Sequence, residues 1–347
     1  MTNLIIIGNG FDMAHGLNTS YSNFIEFLID NKFNDKSLYS DLFEFTSTTI
    51  VRYKSYENII NNKTYSHRAD LFETDNLFFK RLTNNLFNYN WCDIERQYFT
   101  ELSNIGKDAR YKSAKALNSD FEIVKKYLSE YLKLEQSNFE QIWAYEQYFE
   151  KITIERNMVL NFNYTNTVSN YLRGTNSELV QIHGVLENQE NPIIFGYAAD
   201  DNESRELLKF EDKEFMRNIK KHNYKRTKEE NRLIDFLNLH QNIEVSVIGH
   251  SCGLSDKLIL NQIFNNKNVS DIRLYFHKDH EHYFETQVNI DRIMNNDTNF
   301  RKLINFQDSI QIPQKDNQKD YQVFSEKTDL LIKLYKEKDK KRGPHVF

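Results

Sequence analysis

Four short motifs place groups capable of chemistry directly after apolar runs. They are Gly8-Asn9-Gly10-Phe11-Asp12, Asn161-Phe162-Asn163-Tyr164-Thr165, Gln181-Ile182-His183-Gly184 and Gly249-His250-Ser251-Cys252-Gly253. Glycines at 8 and 10 permit a sharp turn and a close backbone approach, and exposed N–H groups after such a strand form a site for phosphate. Asn163 cannot act as a base near neutral pH, but its amide can orient a water or a ribose hydroxyl. His183, followed by a glycine that leaves room behind it, has the pKa range of a general base. The plainer alternative for a single histidine is a hydrogen-bonded core residue. The last motif has the Gly-x-Ser-x-Gly form of a nucleophile elbow, which would make Ser251 the nucleophile of a serine hydrolase. Its acid and base would then have to come from the crowded Asp279-His280-Glu281-His282. The preferred reading is a second ligand loop, in which Gly249, His250 and Ser251 meet ribose or phosphate and Asp256 lies near the helix start.

Other clusters carry less. His277, His280 and His282 with Asp279 and Glu281 match no zinc spacing and suit a solvated strand–helix junction, so no metal is expected. Arg217 through Lys228 is basic but set among glutamates (Glu214 before it, Glu229 and Glu230 after it), which suits a solvated helix better than a nucleic-acid surface. Cys92 and Cys252 form neither a disulfide framework nor a zinc pattern. Asp93 and Glu95 flank Ile94 near Trp91. Their plain reading is helix-surface charge beside core anchors, and the sharper one has Glu95 lining a pocket.

The elements that must position these groups follow from periodicity. Apolar runs at Leu4–Ile7, Met158–Phe162, Val180–His183, Ile193–Phe195, Ile243–Ile248 and Ile272–Phe276 read as short buried strands. Helical spacing between several of them predicts a Rossmann-like, doubly wound, mainly parallel α/β sheet. Right-handed crossovers then bring all strand C-termini to one edge, where open α/β sheets bind ligands. Thr19-Ser20 offers N-caps for a helix carrying Tyr21, Phe24, Ile25 and Leu28. Thr165 or Asn166 is expected to cap the helix through Tyr171, leaving Asn163 to face the ligand.

The expected organisation is a first strand, glycine loop and helix over 1–30, then a helical insertion over 31–153. The rest of the α/β core follows over 154–312, with a charged helical insertion at about 200–240, and a C-terminal helix and tail over 313–347. The stripes Phe121, Val124, Tyr127, Leu128, Tyr131, Leu132 and Ile142, Tyr145, Phe149, Ile152 mark helices of the first insertion. Asp320–Lys341 reads as a final helix with a basic tail.

With 347 residues, 39% of them hydrophobic, the chain can bury a large core. A net charge of −5 supplies no global field for nucleic acid or an anionic membrane. No apolar run is long enough to span a bilayer and no charged region precedes an apolar leader, so a cytoplasmic location is expected. Heavy use of Asn, Lys, Ile, Phe and Tyr has the imprint of an AT-rich coding sequence.

Taken in order, these motifs resemble the AbiH family of bacterial phage-defence proteins. The resemblance rests on Ile6-Ile7-Gly8-Asn9-Gly10-Phe11-Asp12, His15-Gly16-Leu17, Thr19-Ser20-Tyr21 and Phe24. It continues through Trp91-Cys92-Asp93-Ile94-Glu95, Asn161–Thr165, Ile182-His183-Gly184 and Ile248-Gly249-His250-Ser251. That family is in turn similar to sirtuin-like defence domains. This second resemblance implies an NAD diphosphate on the Gly8–Gly10 loop (Asn9 and Phe11 included), catalysis by Asn163 and His183, and an adenosine-side loop at Gly249 and Ser251. Asp12 stands where such loops carry serine, and could stabilise a positive ribose or bind its hydroxyls. Thr165 stands where an aspartate normally follows. The four cysteines of the deacetylase zinc module are absent, which speaks against protein deacetylation. The function implied is NAD hydrolysis during abortive infection, with NAD or a related nucleotide as substrate and a phage-derived trigger. A non-catalytic sensor of NAD or ADP-ribose is the alternative beside the serine hydrolase, and homo-oligomerisation is left open.

Overall fold

A computed structural model of the chain describes residues 2–47, 49, 72–84, 91–106, 111–152, 157–294 and 297–342. Parts of the expected helical insertion, and the end of the tail, lie outside them. The chain divides into two compact units. One comprises Met1–Leu17, Glu135–Ile194 and Tyr224–Phe347, and the other Asn18–Leu134 and Phe195–Asn223.

The first unit is built on a six-stranded, all-parallel sheet. Its strands are β1 (Thr2–Ile7), β4 (Asn157–Asn161), β5 (Glu178–Gln181), β6 (Ile243–Ile248), β7 (Val269–Phe276) and β8 (Ile310–Gln311). Their spatial order is β5-β4-β1-β6-β7-β8. Counted along the chain this is 3-2-1-4-5-6, the Rossmann order, with the reversal beside β1. Such a sheet is covered on both faces, which is why its strands are near-continuous apolar runs.

Leu4, Ile6, Met158, Leu160, Val245 and Val247 face one layer of the core, and Ile5, Ile7, Val159 and Ile248 face the other. The expected doubly wound α/β class is what the chain adopts. Register then sets the working edge. Ile7 lies opposite both Asn161 and Ile248, Asn161 opposite Gln181, and Ile248 opposite Tyr275. Gly8, Phe162, Ile182 and Gly249 therefore leave the sheet side by side.

Five of the six expected strands form. Ile193–Phe195 does not. Pro192 has no N–H to donate, and Ile194 makes a single N–H bond to the His183 carbonyl (2.8 Å) before the chain leaves the sheet. β8 was missed because two residues carry no periodicity. Glu244 on β6 is a further surprise. It is fully buried, paired with Arg273 of β7 (3.3 Å), and accepts a hydrogen bond from the Tyr335 hydroxyl. Tyr335 belongs to the C-terminal helix Gln318–Arg342, which extends the expected Asp320–Lys341 at both ends.

The second unit is mainly helical. It contains the helix Tyr21–Asn34, whose N-cap is Ser20 as expected, its hydroxyl accepting from the Asn23 N–H (3.2 Å). It also holds the short antiparallel pair β2 (Glu44–Phe45) and β3 (Phe72–Glu73), and the helices Leu77–Asn84 and Trp91–Asn104. Phe78, Phe79, Tyr98 and Phe121 fill its core. Glu95 does not sit on a helix surface. It is 4% exposed and pairs at 2.9 Å with Lys220, which is fully buried in the segment expected to be solvated. Gly196 N–H also donates to the Glu95 carboxylate (3.3 Å). The spacing of charges in Arg217–Lys228 could not reveal this, because the partner lies 125 residues away.

Candidate functional site

The glycine turn after β1 meets the loop after β6. Gly8 N–H donates to the Ile248 carbonyl (3.1 Å), Gly10 N–H to the Gly249 carbonyl (2.7 Å), and Phe11 N–H to the Gly8 carbonyl (2.9 Å). A Cβ on Gly8 would stand 2.6 Å from the His250 Cα. One on Gly249, whose φ of +66° is itself left-handed, would stand 2.2 Å from the Phe11 nitrogen. Both glycines are thus needed to let two strand-end loops pass each other. Three of the N–H groups expected to cradle phosphate are used inside the protein, and Asn9 lies half-buried at the start of the short helix Asn9–Ala14.

Asn163 follows β4 and is 7% exposed. Its amide donates to the Gly8 carbonyl (3.0 Å), while its backbone N–H is held by Asn161 Oδ1 (3.0 Å). Asp12 is buried, with both carboxylate oxygens accepting hydroxyl hydrogen bonds, from Thr165 (2.5 Å) and Thr167 (2.5 Å). Burial raises its pKa from 3.8 to about 6, and the threonine hydroxyls oppose that rise. Asn166 occupies the N-cap of the single 3₁₀ turn Thr167–Tyr171, but its side chain makes no capping bond and Thr165 points to Asp12 instead. The expected capping bond is therefore absent.

His183, 4% exposed, stands two residues beyond β5. Its Nδ1 donates to the Phe162 carbonyl (3.0 Å), and its Nε2 lies 3.1 Å from the Tyr224 hydroxyl and 3.1 Å from Asp256 Oδ1. The other Asp256 oxygen lies 3.4 Å from His250 Nε2, and His250 Nδ1 accepts the Cys252 N–H (2.9 Å). Phe162 packs against both imidazoles, with ring centroids 5.1 Å from His183 and 4.4 Å from His250. One carboxylate thus bridges two histidines delivered by β5 and β6, just before the helix Lys257–Phe264. Asp256 and His250 were expected to contact ligand; Asp256 lies against His183, and His250 meets the other oxygen of the same carboxylate. Tyr224 escaped the sequence reading, since a lone tyrosine in a charged stretch gives no periodic signal.

Ser251 is exposed, and its backbone carbonyl accepts from the Asn289 amide (2.9 Å). The left-handed residues of this loop are Gly249 and Cys252 (φ 53°), so the strained position of a nucleophile elbow falls on Cys252 and not on the serine. The acidic and histidine cluster near 280 builds a helix start instead. Asp279 is the N-cap of the helix His280–Ile293 and accepts from the His282 N–H (3.2 Å).

A family model described as bacteriophage abortive infection AbiH matches residues 4–278. The chain belongs to the AbiH family. The matched region runs from β1 through β7 and contains every residue of the strand-end cluster, so this AbiH-family protein carries the cluster within its family-defining part. No curated protein sequence matches the chain. Among the described residues, no helix is long and apolar enough to cross a membrane.

Proposed function

We propose that this AbiH-family protein hydrolyses NAD to nicotinamide and ADP-ribose and acts in abortive infection by depleting NAD. The observation that carries this reading is the placement of Asn163 and His183. They follow adjacent parallel strands whose ends are level, on the edge where open α/β sheets take nucleotides. A second observation supports the sirtuin-like comparison. The two positions that depart from it, Asp12 and Thr165, touch each other: the Thr165 hydroxyl donates to the Asp12 carboxylate. The resemblance implies a hydroxyl and a carboxylate at these two positions, and here the same two groups stand exchanged and in contact.

In the proposed reaction the bond between the nicotinamide nitrogen and ribose C1′ breaks, and its electron pair leaves with nicotinamide. C1′ passes through an oxocarbenium-like state and bonds to the oxygen of a water, whose proton goes to a base. Asn163 orients the ribose or that water. His183 is the base, a role typically worth about 10²–10⁴ in rate. Asp12, engaged by two threonines, supports the ribose side through its charge rather than as a free ligand. Asn9, Gly249 and Ser251 form the rim toward phosphate and adenosine in this reading. The bonding already made by Gly8, Gly10 and Phe11 leaves the diphosphate to side chains and the remaining backbone of that rim.

The test is incubation of the purified protein with NAD, with and without lysate from phage-infected cells, and chromatography of the products. Stoichiometric nicotinamide and ADP-ribose are expected. NAD that binds yet stays intact under both conditions overturns hydrolysis in favour of a nucleotide sensor.

A further inference from the structure

We propose that Asn161 and Gln181 are positioning residues: their side-chain hydrogen bond joins the ends of β4 and β5 and sets where Asn163 and Thr165 stand. The bearing of this on turnover rests on the NAD-cleavage reading, but the placement itself follows from the bonding. Asn161 is the last residue of β4 and Gln181 the last of β5, and the two lie opposite each other in the sheet. The ladder between these strands closes with the Ile182 N–H on the Asn161 carbonyl (3.1 Å). From there side chains take over.

Asn161 is fully buried, and its side-chain amide binds three partners. Oδ1 accepts from the Asn163 N–H (3.0 Å), while Nδ2 donates to the Thr165 carbonyl (3.0 Å) and to Gln181 Oε1 (2.6 Å). A backbone N–H only donates and a carbonyl only accepts, so this amide has one orientation. Gln181 is held in turn. Its Nε2 donates to Asn166 Oδ1 (2.8 Å), its backbone N–H donates to the Glu229 carboxylate (2.9 Å), and its carbonyl accepts from the Asn191 amide (3.0 Å). One buried side chain thus grips the loop after β4 at Asn163 and again at Thr165. Those are the two residues whose own side chains reach the Gly8 carbonyl and the Asp12 carboxylate. Asn161, wholly enclosed, acts through them rather than on a ligand.

A misplacement of about 1 Å can cost on the order of a hundredfold in rate without changing what binds. Loss of the grip should therefore fall on kcat for nicotinamide release more than on KM. It should also reach Asp12 with no nucleotide present. The hydroxyls of Thr165 and Thr167 and the amide of Asn163 oppose the rise that burial imposes on the Asp12 carboxyl, which stands at about 6. A loop that withdraws Thr165 and Asn163 lets that value climb.

Carboxyl ¹³C NMR of the full-length, uniformly labelled protein tests this, with Asp12 assigned by its loss in Asp12→Asn. The wild-type Asp12 midpoint is expected at about 6, and Thr165→Val gives the rise that follows when the threonine hydroxyl is removed. Asn161→Ala should raise the midpoint in the same sense, by at least about half a pH unit. It should also lower kcat at least about tenfold, with KM for NAD changed less than about threefold. Gln181→Met strips no backbone group of its partner, so it should raise the midpoint by a smaller amount, and it decides where Asn161→Ala does not fold. A midpoint left unmoved in folded Asn161→Ala overturns the proposal, as does one left unmoved in Gln181→Met when the first variant cannot be measured. Unchanged kcat in folded Asn161→Ala overturns it too. A wild-type protein that releases no nicotinamide removes the NAD reading alone, because the Asp12 midpoint still decides the placement.

Discussion

The Asn163 side-chain amide donates to the Gly8 carbonyl at 3.0 Å, joining the end of β4 to the turn after β1 across 155 positions of sequence. That bond ties the proposed catalytic asparagine to the element whose glycines bring the loop after β6 into place. Asn163→Ala and His183→Ala should each lower nicotinamide release at least about a hundredfold, with the double variant scarcely worse than the worse single. Asn163→Ala should also cost on the order of 1 kcal/mol in urea denaturation. Asn163→Asp should cost more, because it sets a carboxylate against a carbonyl. Full activity in Asn163→Ala removes Asn163 from the site.

Asp12 and His15 impose opposite pH dependences on stability from one turn of chain. Burial raises the Asp12 pKa to about 6, so its contribution is fully present below 3.8 and is lost as pH rises through 6. His15 is buried, donates from Nδ1 to the Phe11 carbonyl (2.7 Å) and accepts the Tyr171 hydroxyl at Nε2 (2.6 Å). Burial lowers its pKa to about 4, so its contribution is present above 6.5 and is lost as pH falls through 4. Each amounts to roughly 3 kcal/mol and they oppose each other over nearly the same window. Relative to wild type, Asp12→Asn should therefore gain stability between pH 4 and 6, and His15→Gln should lose it. Thermal melts across that range check both signs; equal slopes in wild type and Asp12→Asn would refute the assignment for Asp12.

The Glu95–Lys220 pair predicts a large stability effect at a position that sequence alone reads as surface. Glu95→Gln leaves a fully buried ammonium without its carboxylate, which typically costs about 3–5 kcal/mol. A double variant, Glu95→Leu with Lys220→Met, should recover most of the loss, since neither charge then remains. A Glu95→Gln protein that melts within a few degrees of wild type would show that the pair carries little.

Ser251 gives the cleanest separation of reaction classes. A fluorophosphonate probe should leave the protein unlabelled, and Ser251→Ala should raise KM for NAD while kcat changes less than about tenfold. Stoichiometric labelling at Ser251, with activity abolished in Ser251→Ala, would establish the serine-hydrolase reading instead.

The sequence by itself determined the class of fold and the edge on which the polar motifs gather. Runs such as Leu4–Ile7 suit a parallel sheet covered on both faces, and the polar motifs follow the apolar runs directly. Periodicity is a local property, so it found elements four or more residues long and missed Ile310–Gln311. It also read the glycine turn as a phosphate cradle, because it could not see the Ile248 and Gly249 carbonyls that take up the N–H groups of Gly8 and Gly10.

Tertiary structure alone decided the partnerships. That Asp256 would stand between His183 and His250, or that Thr165 would turn to Asp12 rather than cap its own helical turn, depends on residues brought together from separate strands and loops. Glu95 and Lys220 follow the same rule: a charge can be buried only where the fold delivers a counter-charge, and that delivery leaves no mark on the residues beside it.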